Sequence, residues 1–201
     1  MSDTIDHDGI YRLAESQAGY FTAQQALAAG MDRSTLRHHA RPGGRYERAR
    51  RGLYRLRHFP SSPHEHIVAA WLQLRDAGGV VSHESALELY DLSDVIPTAV
   101  HISLPRANRG QRPRPGVRIH TMERPPDPRD VRTLAGVSTT SPARSIVDAL
   151  EAGTQPEQIE RAIRQALERG LTTPRRLRTE ASVRSVRVKG FIGAILDEAL
   201  T

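Results

Sequence analysis

The stretch from Thr22 to Arg57 restricts the fold most, because it begins with two short capped helices separated by a tight turn. Thr22 precedes Gln25 by three residues, the spacing of a capping box, in which the two residues bond each other's backbone N–H groups. Gly30 is suited to end this helix in the left-handed conformation, and Asp32 supplies a side-chain acceptor for the start of the next one. Two helices joined this closely predict a helix-turn-helix.

A two-stranded hairpin is predicted next, between Tyr46 and Arg57. Gly52 follows a run of charged residues as a turn, and Leu53 and Leu56 flank Tyr54 in a short apolar stretch that is typical of a strand. Residues 5–17 carry apolar side chains at helical spacing and predict a further helix ahead of the pair. A helix, a helix-turn-helix and a hairpin in this order predict a winged helix, a fold that places its second motif helix in the DNA major groove.

Arginine is concentrated in the same stretch. Residues 33–57 contain nine arginines and one acid, Glu47, a local charge of +8 that exceeds the +6 of the whole chain. Guanidinium groups neutralise phosphates and release their counterions, so a folded segment this basic indicates a nucleic-acid-binding surface. The predicted DNA-contacting residues are Arg33, Ser34, Thr35, Arg37 and His38 on the second motif helix, with Arg41, Arg45, Arg48, Arg50 and Arg51 beyond it.

Simpler interpretations exist for these residues. The helix positions could form a solvated face, and charges along the hairpin could guard a strand edge against pairing with other chains. A second basic cluster lies in the loop predicted between residues 105 and 115, where it would extend the DNA footprint, meet an acidic partner or remain solvated. Its members are Arg106, Arg109, Arg112 and Arg114.

Two domains are predicted, residues 1–59 and 60–201. The proline- and serine-rich segment 59–63 can continue neither a helix nor a strand and is expected to link them. The second domain is expected to be mixed α/β with a helical C-terminal end, so the fold class is α+β. Its predicted elements are a helix that includes residues 67–74 and ends at Gly78-Gly79, a helix after Ser82, strands at 98–104, 116–121 and 137–140, and helices at 142–150, 159–170, 174–180 and 188–200.

Composition excludes several classes of site. The chain has no cysteine, which excludes disulfides, thiolate zinc sites and a cysteine nucleophile. No apolar run is long enough for a membrane-spanning helix, and the first ten residues are acidic rather than signal-like, so a cytoplasmic protein is expected. The chain lacks a phosphate-cradling glycine loop and a nucleophile elbow, and its one lysine, Lys189, has no paired acids beside it. We therefore predict a protein that is not an enzyme and needs no cofactor.

The histidines predict no metal site. His64 and His66 are two residues apart, and residues at that spacing do not share a helix face. His101 and His120 are expected on the polar sides of their strands, and His83 is expected to pack or hydrogen-bond near a helix start.

In the order of several short blocks, the chain resembles the AbiEi-type antitoxins of bacterial abortive-infection and type IV toxin–antitoxin systems. The blocks are GYFTAQQA at 19–26, RGLYR at 51–55, VSHESAL at 81–87, VHIS at 100–103 and TTSPARSIVD at 139–148. The resemblance implies a winged helix that binds operator repeats and represses the operon. It also implies a C-terminal domain that is needed to counteract a nucleotidyltransferase-like toxin encoded nearby.

The predicted partner is therefore double-stranded DNA, the protein's own operator repeats, bound by a homodimer. A cognate nucleotidyltransferase-like toxin is the second partner, and whether it is contacted directly is left open. One alternative is a stand-alone winged-helix regulator whose second domain dimerises or binds an effector. The other is a nucleic-acid-processing enzyme.

Overall fold

The computed structural model describes residues 5–122 and 126–198, and its chain divides into two compact units. The N-terminal unit runs to Asp76 and includes residues 135–137. The C-terminal unit comprises residues 77–134 and the chain from residue 138 onward. Within the described ranges, no helix is both long and apolar enough to cross a membrane.

The N-terminal unit has the element order of a winged helix, as predicted. The elements are α1 (His7–Glu15), β1 (Tyr20–Thr22), α2 (Ala23–Ala28), α3 (Arg33–His39), β2 (Tyr46–Arg50), β3 (Leu53–Leu56) and α4 (Glu65–Leu72). Its three-stranded antiparallel sheet has the order β1-β3-β2, so β3 of the hairpin pairs with the short strand β1 that precedes the helix pair.

The predicted caps start both motif helices. The Gln25 N–H donates to Thr22 Oγ1 at 3.2 Å, and the Thr22 N–H donates to Gln25 Oε1 at 2.8 Å, which completes the capping box. Gly30 has a φ of +82° and ends the turn after α2 in a conformation that glycine adopts without strain. Local hydrogen bonding therefore sets where α2 and α3 begin and how closely they follow one another.

An aromatic cluster on the sheet lies in the core of the N-terminal unit. Phe21 of β1 is fully buried, and its ring contacts Tyr46 of β2 edge-on at 4.9 Å and stacks on Tyr54 of β3 at 5.8 Å between centroids. Leu36 of α3 belongs to the same buried cluster. The apolar core that these residues form therefore holds α3 against the sheet that carries the hairpin.

The C-terminal unit is a mixed α/β structure with a helical end, as predicted. The elements are β4 (Val80–Val81), α5 (His83–Tyr90), β5 (Val100–Pro105), β6 (Val117–Met122), β7 (Val131–Leu134), β8 (Val137–Thr140), α6 (Pro142–Glu151), α7 (Pro156–Glu168), α8 (Pro174–Ser182) and α9 (Val186–Glu198). Its five-stranded sheet has the order β6-β5-β4-β8-β7, with β4 antiparallel to β5 and parallel to β8, and with β5 parallel to β6.

A large apolar core holds these helices together. Ile146 and Leu150 of α6, Ile159 and Ile163 of α7 and Ile192 of α9 all lie in one buried cluster. Pro142 and Pro156 begin α6 and α7 at the first helical position, which proline favours because no N–H partner is needed there. The predicted end of the last helix, at residue 200, lies outside the described residues.

The structure differs from the predictions mainly in four elements. Strands β1 and β4 were not predicted because they are only three and two residues long, and β7 was not predicted because its alternation is weak. The helix predicted to end at Gly78-Gly79 ends at Leu72, and only a 3₁₀ turn, Arg75–Ala77, follows it before these glycines.

The predicted linker lacks regular secondary structure, but the N-terminal unit extends beyond it. Residues 59–63 form neither helix nor strand, but the following helix α4 belongs to the N-terminal unit, which continues to Asp76. The division into functional domains at residues 59 and 60 stays a prediction.

Candidate nucleic-acid interface

Helix α3 presents a basic face to solvent. Leu36 is 2% exposed and anchors the helix in the core, while Arg33, Ser34, Arg37 and His38 are exposed. Arg33 and Arg37 are one helical turn apart and therefore project from the same side. This exposure is the arrangement that DNA contact requires of these residues.

The hydroxyl groups of Ser34 and Thr35 donate to the carboxylate of Asp32, which caps α3. Ser34 Oγ donates to Asp32 Oδ1 at 2.7 Å, and Thr35 Oγ1 donates to Asp32 Oδ2 at 3.1 Å. These bonds and two backbone N–H donors lower the pKa of Asp32 to about 2, the Ser34 hydroxyl first among them. A phosphate only accepts hydrogen bonds, so neither hydroxyl can donate to one while this cap is intact.

The hairpin carries a second exposed set of arginines. Strand β2 lies at the edge of its sheet, and apart from Tyr46 all its residues are exposed. Its register with β3 shifts between Arg48 and Arg50, which marks a bulge, and Gly52 turns the chain with a φ of +75°. Bulges and charges both protect edges from pairing, so edge protection accounts for part of this pattern. The exposed arginines are Arg45, Arg48, Arg50 and Arg51, and Arg41 is exposed in the loop before them.

Arg55 and Arg57 are half-buried, unlike the other seven arginines, and their guanidinium groups bond other segments of the unit. Arg55 Nη2 donates to the Phe59 carbonyl at 2.8 Å and forms an ion pair with Glu65 at 3.1 Å. Arg57 Nε donates to the Gly44 carbonyl at 2.5 Å, and its Nη1 lies 3.4 Å from Glu47 Oε1. The local charge therefore divides between an outward surface and an internal scaffold, a division that a count of arginines does not reveal.

The second predicted basic cluster lies in a loop of the C-terminal unit, as expected. Residues 106–116 connect β5 to β6 and contain one 3₁₀ turn. Arg106, Arg109 and Arg112 are exposed, whereas Arg114 is half-buried and donates to the Arg112 carbonyl at 3.0 Å. Burial lowers the pKa of Arg114. Three arginines of this cluster are thus available to a partner, and the fourth shapes the loop.

The comparison with protein families bears on the N-terminal segment that carries this surface. Residues 10–57 match the family described as transcriptional regulator, AbiEi antitoxin. The match spans α1 to the end of the hairpin, so it confirms for this segment the AbiEi resemblance that the residues indicated. A search of curated proteins found no match.

A solved structure supports the fold over a longer range. The crystal structure of the RV2827C protein from Mycobacterium tuberculosis is similar to this chain with a TM-score of 0.56 at 16% sequence identity. The similarity covers 94% of this chain and 74% of that one. At this identity the likeness concerns the fold alone, and it includes the region beyond the AbiEi match.

Sequence reasoning missed a cluster of three histidines in the C-terminal unit. His83 begins α5, His101 lies on β5 and His120 lies on β6. A ring nitrogen from each lies within 4.8 Å of the other two, which makes this the one such group of three found among residues 5–122 and 126–198. His101 and His120 do share the polar side of their strands, with Ser103; His101 and Ser103 are buried there, and His120 is half-buried.

The histidine cluster is neutral at physiological pH. Burial lowers the pKa of His83 to about 2, and burial likewise lowers the pKa values of His101 and His120 to about 4. The rings of His83 and His120 stack with centroids 3.6 Å apart. His83 also has a φ of +54°, a left-handed conformation that is uncommon for residues other than glycine.

A cavity of about 660 Å³ lies beside two of these histidines. Its wall includes His83, His120 and a buried ion-pair group in which Arg144 and Arg184 both contact Asp148. Burial raises the pKa of Asp148, and the two guanidinium groups oppose that rise.

Proposed function

We propose that the protein binds double-stranded DNA through α3 and the β2–β3 hairpin, represses its own operon and acts as the antitoxin of a nucleotidyltransferase-like toxin. The proposal assigns it binding functions and no catalytic step. A homodimer that spans two operator repeats is part of the proposal, since paired winged helices match repeated half-sites.

The DNA-binding part of the proposal depends on one observation. Seven of the nine arginines in residues 33–57 are exposed, whereas Arg55 and Arg57 are half-buried and bond other parts of the N-terminal unit. Arg55 and Arg57 stabilise the fold of the unit, because each donates to a backbone carbonyl and forms an ion pair with a glutamate. The seven others occupy α3, the loop after it and the hairpin. Seven exposed arginines exceed what edge protection of one five-residue strand needs, and the similarity of residues 10–57 to a family of transcriptional regulators supports the proposal.

The two parts of this surface are proposed to act differently. Arg33 and Arg37 are suited to the major groove, where a guanidinium group can donate two hydrogen bonds to guanine O6 and N7. Arg48, Arg50 and Arg51 are suited to phosphates or to a narrow minor groove, whose potential attracts arginine. We propose that α3 reads sequence and that the hairpin supplies affinity.

Mobility shifts on the protein's own promoter, at several salt concentrations, test this assignment. We expect Arg37→Ala to lose about 1–3 kcal/mol on the operator and to discriminate less between operator and unrelated DNA. We expect Arg51→Ala to weaken binding to both DNAs alike and to reduce the salt slope by about one. Arg175→Ala is the matched control, because it removes an exposed arginine from α8 of the C-terminal unit. Wild-type binding by both interface variants would refute the proposed surface.

The antitoxin part needs a separate test. The proposal expects a gene for a nucleotidyltransferase-like protein beside this one, and co-expression of this chain should relieve the growth arrest that such a protein causes. Relief should persist with Arg37→Ala when expression is driven from a foreign promoter, because neutralisation is assigned to the C-terminal domain. Arrest that continues in the presence of the wild-type protein would contradict the antitoxin role and leave DNA binding intact.

A second candidate function is a stand-alone regulator whose C-terminal unit binds an effector. The cavity beside His83 and His120 favours it, since a volume of about 660 Å³ suits a small molecule. A gene neighbourhood without a nucleotidyltransferase-like protein, together with operator binding that changes on addition of a metabolite, would favour this alternative.

A further inference from the structure

We propose that the C-terminal unit binds a divalent transition-metal ion of the zinc class through His83, His101 and His120. This site is independent of the DNA-binding proposal. Histidine nitrogens suit Zn²⁺, and three protein ligands with an open fourth position are a common arrangement for it.

The spacing of two ligand atoms fits one metal ion. His101 Nδ1 lies 3.3 Å from His120 Nε2. Zinc–nitrogen bonds of about 2.0–2.1 Å in tetrahedral geometry place two ligand nitrogens about 3.3–3.4 Å apart. A nitrogen of His83 lies within 4.8 Å of the other two ligands, and because the His83 ring stacks on His120 at 3.6 Å, a rotation of this ring out of the stack completes three ligands.

Polar groups lie beside the second nitrogen of two of the three rings. His83 Nδ1 lies 2.8 Å from Ser82 Oγ, which lies 2.8 Å from Ser103 Oγ, so Nε2 of His83 remains for the metal. Glu84 Oε2 lies 3.9 Å from His101 Nε2, the ring nitrogen that does not face His120, so a shift of the Glu84 side chain toward His101 would bring the two within hydrogen-bond distance. Metal-bound histidines commonly have their second nitrogen held by such a group, which fixes the tautomer and the ring direction.

The fold holds the ligands on separate rigid elements. The parallel register of β5 and β6 pairs Ser103 with His120, so His101 and His120 lie on one face of adjacent strands. Ser82 joins β4 to α5 and places His83 over this face. The cavity beside His83 and His120 leaves room for water or an anionic ligand at the fourth position.

Metal binding by untagged, full-length protein tests the proposal directly. After chelator treatment and dialysis, titration with Zn²⁺ in a calorimeter should give one site per chain, and Co²⁺ should give the visible absorption of a tetrahedral site. His120→Gln should weaken Zn²⁺ binding more than about 100-fold and remove the Co²⁺ spectrum. Glu84→Gln should weaken binding about 10- to 100-fold, as expected for a group that orients a ligand.

Two comparisons keep the test decisive. His64→Gln and His66→Gln, which change histidines of the N-terminal unit, should bind Zn²⁺ as the wild type does. Circular dichroism of each variant checks folding, and His101→Gln is the second ligand variant if His120→Gln does not fold. No stoichiometric uptake by the wild type, or equal uptake by the ligand variants, would show that the histidines form only a stacked and hydrogen-bonded network. Either result would leave the DNA-binding proposal unaffected.

Discussion

Two sets of arginines, one in each unit, serve opposite purposes. In the N-terminal unit, arginines of α3 and the hairpin are exposed to solvent, away from a core built on Phe21. In the C-terminal unit, Arg144 and Arg184 contact the buried carboxylate of Asp148, and Arg187 donates to the Leu150 carbonyl at 2.8 Å. Exposure leaves the first set accessible to a partner, whereas contact with internal acceptors makes the second set part of the folded structure. Arginine content alone therefore says little about function, whereas the surroundings of each guanidinium group say a great deal.

The largest effect should come from removing the acceptor in the C-terminal unit. Asp148 is 7% exposed, and Asp148→Ala leaves two guanidinium groups without their shared carboxylate. We expect a loss of about 2–4 kcal/mol, somewhat less than for a fully buried pair because Arg184 is partly exposed. Urea unfolding followed by circular dichroism measures it. The exposed pair Arg164–Glu160 provides the control, since Glu160→Ala should cost at most about 0.5 kcal/mol. Equal losses in the two variants would contradict the comparison.

Arg57→Ala tests the comparison inside the N-terminal unit. Its guanidinium group bonds the carbonyls of Gly44 and Tyr46, so we expect a loss of about 1–3 kcal/mol. The protein has one tryptophan, Trp71, which is buried in this unit, and its fluorescence therefore follows the unfolding of the N-terminal unit. Arg45→Ala removes the same charge from an exposed position and should leave stability within about 0.5 kcal/mol of wild type. If Arg45→Ala proved as damaging as Arg57→Ala, the division into scaffold and surface would be wrong.

Ser34→Ala separates a capping role from a DNA-contacting role. Because its hydroxyl donates to Asp32, we expect a stability loss of about 0.5 kcal/mol and an unchanged salt slope on DNA. Tryptophan fluorescence and mobility shifts measure the two effects, and Ser34→Thr, which keeps a hydroxyl, should restore the stability. A large loss of operator affinity at unchanged stability would instead make Ser34 a contact residue.

The smallest expected effect is a change of stability with pH that arises from the charge of Asp32, the residue that caps α3. The pKa of Asp32 is lowered from 3.8 to about 2, so its charged cap stabilises the folded state above about pH 3.8, and that contribution is lost as the pH falls toward 2. Asp32→Asn keeps a capping side chain that does not titrate. Wild-type stability relative to this variant should decline between pH 4 and pH 2 in thermal unfolding. Parallel curves over that range would rule out the cap as the cause.

The winged helix was predictable because its signals are local. The Thr22–Gln25 capping box, the cap at Asp32 and the turn at Gly52 each depend on residues a few positions apart, and all three appear as predicted. The exposure of Arg37 followed in the same way from helical spacing around Leu36. The short strand β1 was not predictable, because its pairing partner, β3, lies thirty residues further along the chain.

The candidate sites also differ in how far local sequence predicts them. The sequence by itself determined that the N-terminal half carries a capped helix pair and an excess of arginine, since caps, turns and charge are properties of neighbouring residues. Only the tertiary structure decided that Arg55 and Arg57 belong to the scaffold, because their partners Glu65 and Gly44 lie 10 and 13 residues away in the sequence. It alone brought His83, His101 and His120 together, because the parallel register of β5 and β6 and the position of α5 over them are long-range pairings that no local pattern encodes.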